Sequence, residues 1–74
     1  MEKSQCIVNI KKIGKIIKER RKNLKVNQLE LSELLGVGIN TLVAIERGEG
    51  NPKLATLLSI LDMLGLQMTI ELKN

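Results

Sequence analysis

The sequence predicts a mainly α-helical domain of four to five helices, followed by a single C-terminal β-strand. Apolar residues recur at the helical period in separate segments between residues 9 and 65, and glycine-containing turns separate several of these segments. After Leu66 the apolar period changes to two, which is the pattern of a half-buried strand. We therefore divide the chain into an N-terminal tail (1–8), a helical domain (9–65) and a C-terminal strand (66–74).

The first predicted helix runs from Ile10 to Asn23. Asn9 is a good N-cap, because its side-chain oxygen can accept a hydrogen bond from the first turn. Apolar residues recur along the segment at near-helical spacing: Ile10, Ile13, Ile17 and Leu24. Gly14 costs about 1 kcal/mol relative to Ala inside a helix, so we expect another helix to approach closely there. The tail before Asn9 is either disordered or contains a short strand at Cys6-Ile7-Val8.

Two short helices follow, joined by a tight turn. Asn27 and Glu30 have the spacing of a capping box, which places the start of helix 2 near Gln28. Gly36-Val37-Gly38 forms the turn, and helix 3 then runs to Arg47-Gly48. Each helix carries apolar residues on one face: Leu31, Leu34 and Leu35 in helix 2, and Leu42 and Ile45 in helix 3. A unit of this kind is typical of proteins that place the second helix in the DNA major groove.

Helix 4 is predicted to begin at a loop that ends in Asn51-Pro52, with Asn51 as N-cap and Pro52 at the first helical position. The expected core stripe consists of Leu54, Leu57, Leu58, Leu61 and Leu64. Ile60 and Met63 fall outside this stripe, and Gly65 is the expected stop.

The C-terminal segment alternates between apolar and polar side chains. Its apolar positions are Leu66, Met68, Ile70 and Leu72. A lone strand needs an edge for its hydrogen bonds, and the chain offers no convincing second strand. We therefore expect these residues to pair with the same strand of a second copy in a homodimer. The alternative is that the segment packs over its own helices.

Charge is unevenly distributed along the chain. The net charge is +4, and the basic residues concentrate in one segment with only Glu19 to offset them: Lys11, Lys12, Lys15, Lys18, Arg20, Arg21, Lys22 and Lys25. A polyanion is the natural partner, and the alternative is a solvated lysine-rich helix face. The chain has no Phe, Trp or Tyr, so it lacks the stacking side chains used by most single-strand and RNA binders.

Composition also bounds the chemistry. The chain has no His and a single cysteine, Cys6, which removes intramolecular disulfides, the common zinc sites and the usual nucleophile–base pairs. We expect no enzyme activity, no metal and no cofactor. No run of about 18 apolar residues is present, and the N-terminus lacks a signal-peptide pattern. We therefore expect a cytoplasmic protein with no membrane association.

Residues 13–66 carry an ordered set of motifs: Arg21 seven residues before Gln28, Gln28 with Leu31, Leu35-Gly36-Val37, Ile45-Glu46-Arg47-Gly48, and Asn51-Pro52. Together they resemble the Cro/repressor-type (Xre-like) helix-turn-helix family, which has the lambda-repressor-like fold. The set in register is far more specific than any one of its motifs. The resemblance implies a sequence-specific repressor that binds double-stranded DNA through residues 9–65.

The alternating tail behind such a domain resembles the HipB-like antitoxins. That resemblance implies a homodimer joined by C-terminal strands, a palindromic operator, a HipA-like kinase toxin as partner, and autoregulation of a toxin-antitoxin operon. One alternative is a free-standing phage-type or cellular Xre-like repressor without a toxin. Another is a protein-interaction module that uses a relic helix-turn-helix.

The family resemblance also assigns roles to residues. Arg21 and Glu46 resemble a partly buried ion pair that links helix 3 to helix 1. Gln28 is similar to the glutamine that contacts a phosphate and braces the recognition helix. The full set of expected phosphate contacts is Asn27, Gln28, Gly38, Arg47, Asn51 and Lys53. Helix 4 contributes because a helix N-terminus attracts anions.

The expected base-reading residues on helix 3 are Ile39, Asn40, Thr41, Val43 and Ala44. Asn40 can pair with adenine, and the aliphatic side chains can contact thymine methyl groups. The family more often has Ser or Thr at the position of Gly38, and polar residues at those of Ile39, Val43 and Ala44. Three interpretations follow: apolar readout of methyl groups, reliance on DNA shape, or a relic motif used for protein contacts.

Overall fold

The computed structural model describes residues 9–72, and the expectations for the N-terminal tail concern residues outside this range. Four α-helices are present among the described residues: α1 (Ile10–Asn23), α2 (Gln28–Leu35), α3 (Ile39–Arg47) and α4 (Leu54–Met63). The prediction of a mainly α-helical domain is confirmed. The bounds predicted for the first three helices agree with those observed.

The helices begin in two different ways. In α1, Asn9 Oδ1 accepts a hydrogen bond from the backbone N–H of Lys12 at 2.9 Å. In α2, Asn27 and Glu30 form both bonds of the predicted capping box, at 2.8 and 2.9 Å. In contrast, no side chain within residues 9–72 caps the start of α3 or α4. The N–H groups of Ile39 and Asn40 in α3, and of Leu54 and Ala55 in α4, therefore find no acceptor among residues 9–72 and are left for solvent or a ligand.

The predicted start of α4 was wrong. The N-cap is Lys53, which has extended backbone angles (φ −68°, ψ 141°), and the helix begins at Leu54. Its first intrahelical bond runs from the N–H of Leu57 to the carbonyl of Lys53 at 3.1 Å. The segment from Asn51 to Lys53 instead bridges the gap between the end of α3 and α4.

All four helices end with the same backbone motif. A residue with positive φ follows each helix: Lys25 (64°), Gly36 (71°), Gly48 (72°) and Gly65 (73°). The N–H of the next residue then returns to a carbonyl five residues earlier, as from Val26 to Arg21 at 3.3 Å. This is the Schellman arrangement, which satisfies carbonyls that the helix itself leaves free. Three of the four positions carry glycine, and Lys25 is the exception.

The core is built from aliphatic side chains of all four helices. Its buried members are Ile17, Leu31, Leu42, Ile45, Leu57, Ile60, Leu61 and Leu64. Gly14 lies against α3, where a Cβ would fall 2.9 Å from the carbonyl oxygen of Glu46 and closer still to that of Ile45. The predicted close helix contact at Gly14 is thus confirmed.

Several core predictions were wrong. Ile60 is fully buried, whereas Leu54 is 61% exposed and Leu58 is also exposed. The buried set in α4 still has helical spacing, but it lies to one side of the predicted stripe. Because α4 has apolar residues on more than one face, only packing against the other helices selects which face is buried. Leu34, predicted on the apolar face of helix 2, is likewise exposed.

The predicted C-terminal strand does not form in the single chain. Residues 66–72 have no regular secondary structure, and no strand occurs among residues 9–72. Leu66 packs against the core, and its N–H donates to the carbonyl of Leu61 at 2.7 Å. Beyond it, Ile70 and Leu72 are 92% and 97% exposed. A strand requires a neighbour for its hydrogen bonds, so pairing with a second copy stays a prediction.

Candidate nucleic-acid interface

The turn at residues 36–38 sets α2 and α3 at a steep angle, with a bend of 114° between them. No single helix within residues 9–72 is long and apolar enough to cross a membrane. The pair α2 and α3 reaches that length only when the two helices are joined across the bend. One side of α3, formed by Leu42, Ile45 and Glu46, is buried. The opposite side is available to a partner.

The open side of α3 carries the residues predicted to contact bases. Ile39, Asn40 and Thr41 are exposed, and Val43 and Ala44 are half-buried. Gly38 and Arg47 are also exposed, at the two ends of the helix. The structure therefore brings all the predicted base-reading residues onto one short helix.

A buried ion pair holds the inner side of α3. Arg21 Nε donates to Glu46 Oε2 at 2.7 Å, and Arg21 Nη2 donates to Glu46 Oε1 at 3.0 Å. Both side chains are less than a tenth exposed. Arg21 Nη1 also donates to the carbonyl of Val26 at 2.8 Å. The guanidinium thus ties α1, the turn after it and α3 together in a bidentate geometry suited to arginine and carboxylate.

Gln28 joins this network from the first turn of α2. Its Nε2 donates to Glu46 Oε1 at 3.0 Å, and the side chain is half-buried. With respect to residues 9–72, one N–H and the carbonyl oxygen of the amide stay free for another partner. Asn27 is more committed, since its Oδ1 accepts from Glu30 in the capping box. Only its side-chain NH₂ group is left to donate to a phosphate.

A shallow groove lies where the start of α3 meets the start of α4. Its lining includes three of the predicted phosphate contacts, namely Gly38, Asn51 and Lys53, together with Val37, Thr41, Pro52 and Thr56. Both helices present uncapped N–H groups at this end, and Lys53 adds a positive charge. The groove thus offers donors and positive potential to an anion, and Arg47 lies apart from it at the other end of α3.

The lysines of α1 form a stripe beside the end of α3. Lys11, Lys15, Lys18 and Lys22 are all exposed, and their spacing of four, three and four residues places them on one side of the helix. A Cβ at Gly48, directly after α3, would lie 2.6 Å from the Cα of Lys11. The stripe therefore begins at Lys11, beside the C-terminal end of α3, and runs from there along α1.

Two features of this surface have no cue in the sequence. Arg20 Nε donates to the carbonyl of Leu64 at 2.8 Å, which ties α1 to the end of α4 and to the start of the tail. The two residues are 44 positions apart, so spacing gives no hint of the contact. Lys25 adopts positive φ, although no glycine or asparagine marks the position.

The remaining predicted group, the dimerisation residues, is divided by the structure. Leu66 is half-buried against the core, whereas Met68, Ile70 and Leu72 are exposed. Only the last three therefore present apolar surface that another chain can cover.

Comparisons with known proteins agree with this architecture. The model of the family HTH_3, described as Helix-turn-helix, matches residues 17–70. An immunity repressor protein of Bacillus phage phi105 is 37% identical over 57 residues, which are 77% of this chain and 40% of that protein. The chain thus spans well under half of that relative.

Solved structures give two kinds of match. A chain of the HipA-HipB-O2-O3 complex and the structure described as MDT protein are each 26% identical, with a TM-score of 0.78 and full coverage of both chains. The crystal structure of apo-HppE is 32% identical, with a TM-score of 0.70. That match covers 80% of this chain but only 33% of HppE, so it extends to one part of a longer protein.

Proposed function

Since this chain belongs to the HTH_3 helix-turn-helix family, we propose that it is a transcriptional repressor that binds a specific sequence of double-stranded DNA through α3. The proposal rests on the difference between the two sides of α3. Its inner side is locked to α1 and α2 by the Arg21–Glu46 pair and Gln28, while its outer side is open. A rigidly held helix with a free face can enter the major groove in one orientation.

Phosphate contacts fix that orientation. Asn27 and Gln28 would hold the backbone on the α2 side, and Gly38, Asn51 and Lys53 would hold it in the groove between α3 and α4. Arg47 would reach a phosphate at the far end of α3. Such contacts set the register of the protein on the duplex without reading sequence. Gln28 is well suited to this role because its bond to Glu46 orients the free part of the amide.

The active species is proposed to be a homodimer on a palindromic operator. Two copies joined at their tails would place two α3 helices in successive major grooves, with half-sites about 34 to 36 Å apart or a multiple of this. The exposed apolar residues Met68, Ile70 and Leu72 support this arrangement, because a second copy would remove them from water.

A chain that ends at Gly65 tests the dimer. We expect a monomer that keeps its helical signal, since the core is built from residues before Gly65 and Leu66 is only partly buried against it. Operator affinity should fall because the two half-sites would then bind independently. An unchanged dimer would refute pairing through the tail.

A finer proposal is that the protein is the antitoxin of a HipBA-like operon and represses that operon. The match to a chain of the HipA-HipB-O2-O3 complex supports it, because the likeness covers both chains completely. A HipA-like kinase would then be a second partner. The alternative is a free-standing repressor, which is favoured by the likeness to a phage immunity repressor. Co-purification of a kinase encoded beside the gene would separate the two.

The first experiment compares binding to the DNA upstream of the protein's own gene with binding to a random duplex of equal length, at two salt concentrations. We expect a dimer that prefers the upstream DNA, with affinity that falls steeply as salt rises. Equal, weak binding to both duplexes would contradict sequence-specific repression. It would favour the protein-interaction module instead.

A further inference from the structure

Resting on the proposed function, we infer that α3 specifies A·T base pairs, with Asn40 pairing with adenine and the aliphatic side chains around it contacting thymine methyl groups. The first two turns of α3 offer no free charged side chain of the kind that usually reads guanine or cytosine. The ligand of this surface is therefore an A·T-rich half-site that is read in the major groove.

The placement of Asn40 is the first step. Successive residues in an α-helix are about 100° apart, so Asn40 and Ala44 point directly away from the buried side formed by Leu42, Ile45 and Glu46. Asn40 is exposed, and its side chain makes no hydrogen bond with any residue between 9 and 72. A free amide of this kind can form a bidentate pair with adenine. Its NH₂ group donates to N7, and its carbonyl oxygen accepts from the N6 amino group.

The lack of charged groups beside Asn40 is the second step. Guanine is usually read by Arg or Lys, and cytosine by Asp or Glu. The only cation on α3 is Arg47, which follows Asn40 by seven residues, or about 10 Å along the helix. The only carboxylate on α3, that of Glu46, is buried and bonded to Arg21. Arg47 is thus set at the far end of the reading surface, and the Glu46 carboxylate is already paired.

The aliphatic surface around Asn40 is the third step. Ile39 is 39% exposed, and Val43 and Ala44 are half-buried beside the amide. The thymine methyl is the one apolar group that bases present in the major groove. Covering a methyl group removes apolar surface from water, which corresponds to about a four-fold gain in affinity per group.

Thr41 lies at the edge of the open side of α3 that borders the groove. It lines the groove shared with Asn51 and Lys53, and its Oγ1 lies 3.8 Å from the position of a Cβ on Gly38. Its hydroxyl is therefore close to the proposed phosphate contacts. This leaves Asn40 as the single polar base-reading group in the first two turns.

The test uses the operator found by footprinting, prepared in three forms: unmodified, with deoxyuridine in place of thymidine, and with 7-deazaadenine in place of adenine. Deoxyuridine removes only the methyl group, and 7-deazaadenine removes only the N7 acceptor. We expect deoxyuridine to weaken binding about four-fold for each contacted methyl. Loss of N7 should weaken binding to the wild-type protein but not to Asn40→Ala.

Val43→Thr and Lys53→Ala are the matched variants. Val43→Thr exchanges a methyl for a hydroxyl at nearly constant size, so it should reduce the preference for thymidine over deoxyuridine. Lys53→Ala should weaken binding to all three duplexes by one common factor. If the unmodified operator is preferred over random DNA but deoxyuridine has no effect, shape readout operates and methyl readout is refuted. If no operator is preferred at all, both this inference and the proposed function are overturned.

Discussion

Removal of the Glu46 carboxylate should be the most damaging single change at the interface between α1 and α3. In Glu46→Leu, two N–H donors of Arg21 and one of Gln28 lose their acceptor, and the guanidinium stays buried without a counter-charge. Breaking a buried pair on one side typically costs about 3 to 5 kcal/mol. A domain of 74 residues has a free energy of unfolding of roughly 4 to 11 kcal/mol. The variant should therefore lose about a quarter or more of its stability.

Urea denaturation followed by far-UV circular dichroism is the appropriate assay, because the chain has no Trp or Tyr to report by fluorescence. The matched control is the double variant Arg21→Met with Glu46→Leu, which removes both charges. It should be more stable than Glu46→Leu alone, since no unpaired charge is left in the core. A loss below about 1 kcal/mol in the single variant, with no coupling in the double-mutant cycle, would refute the buried-pair reasoning.

Three further changes probe other parts of the fold. Gly14→Ala should lower the free energy of unfolding by about 1 to 3 kcal/mol, because a clash with the carbonyls of α3 outweighs the better helix propensity of alanine. A variant more stable than the wild type would show that α1 and α3 can move apart at no cost. Lys25→Gly should raise the free energy of unfolding by about 0.5 to 1 kcal/mol, since positive φ strains a lysine. A lower free energy of unfolding would contradict that strain. Replacing Lys11 and Lys15 with Ala should weaken binding to operator and random duplexes equally and reduce the salt slope; a sequence-dependent effect would assign these lysines to base readout.

Helix boundaries were predictable wherever a local hydrogen bond defines them. Asn9, Asn27 and Gly36 each act through partners within five residues, and the structure shows those bonds. The family was also predictable, because its motifs keep their spacing, and the match to residues 17–70 confirms it. Local hydrogen bonds and the ordered set of motifs were thus sufficient to predict most of the fold.

The errors lie where distant parts of the chain decide the outcome. The buried face of α4 depends on the helices against which it packs, and Leu54 and Ile60 have nearly the same intrinsic preference for a core. The bond from Arg20 to Leu64 joins residues that are far apart in sequence. The predicted C-terminal strand is absent from residues 66–72, and its pairing with a second copy stays a prediction that a single chain does not test. For the interface itself, the sequence indicated which side chains lie on α3, but not the groove that α3 shares with α4.

Because Gly38 provides no side-chain cap, the first amides of α3 can report on DNA binding through hydrogen–deuterium exchange. The backbone amides of Ile39 and Asn40 donate to no group within residues 9–72, so their hydrogens should exchange with deuterium almost as fast as in a peptide. If the start of α3 lies against a phosphate, these two amides should be among those that slow most when DNA is added. Their exchange rates would then report, without any added label, whether the start of α3 is in contact with the DNA backbone.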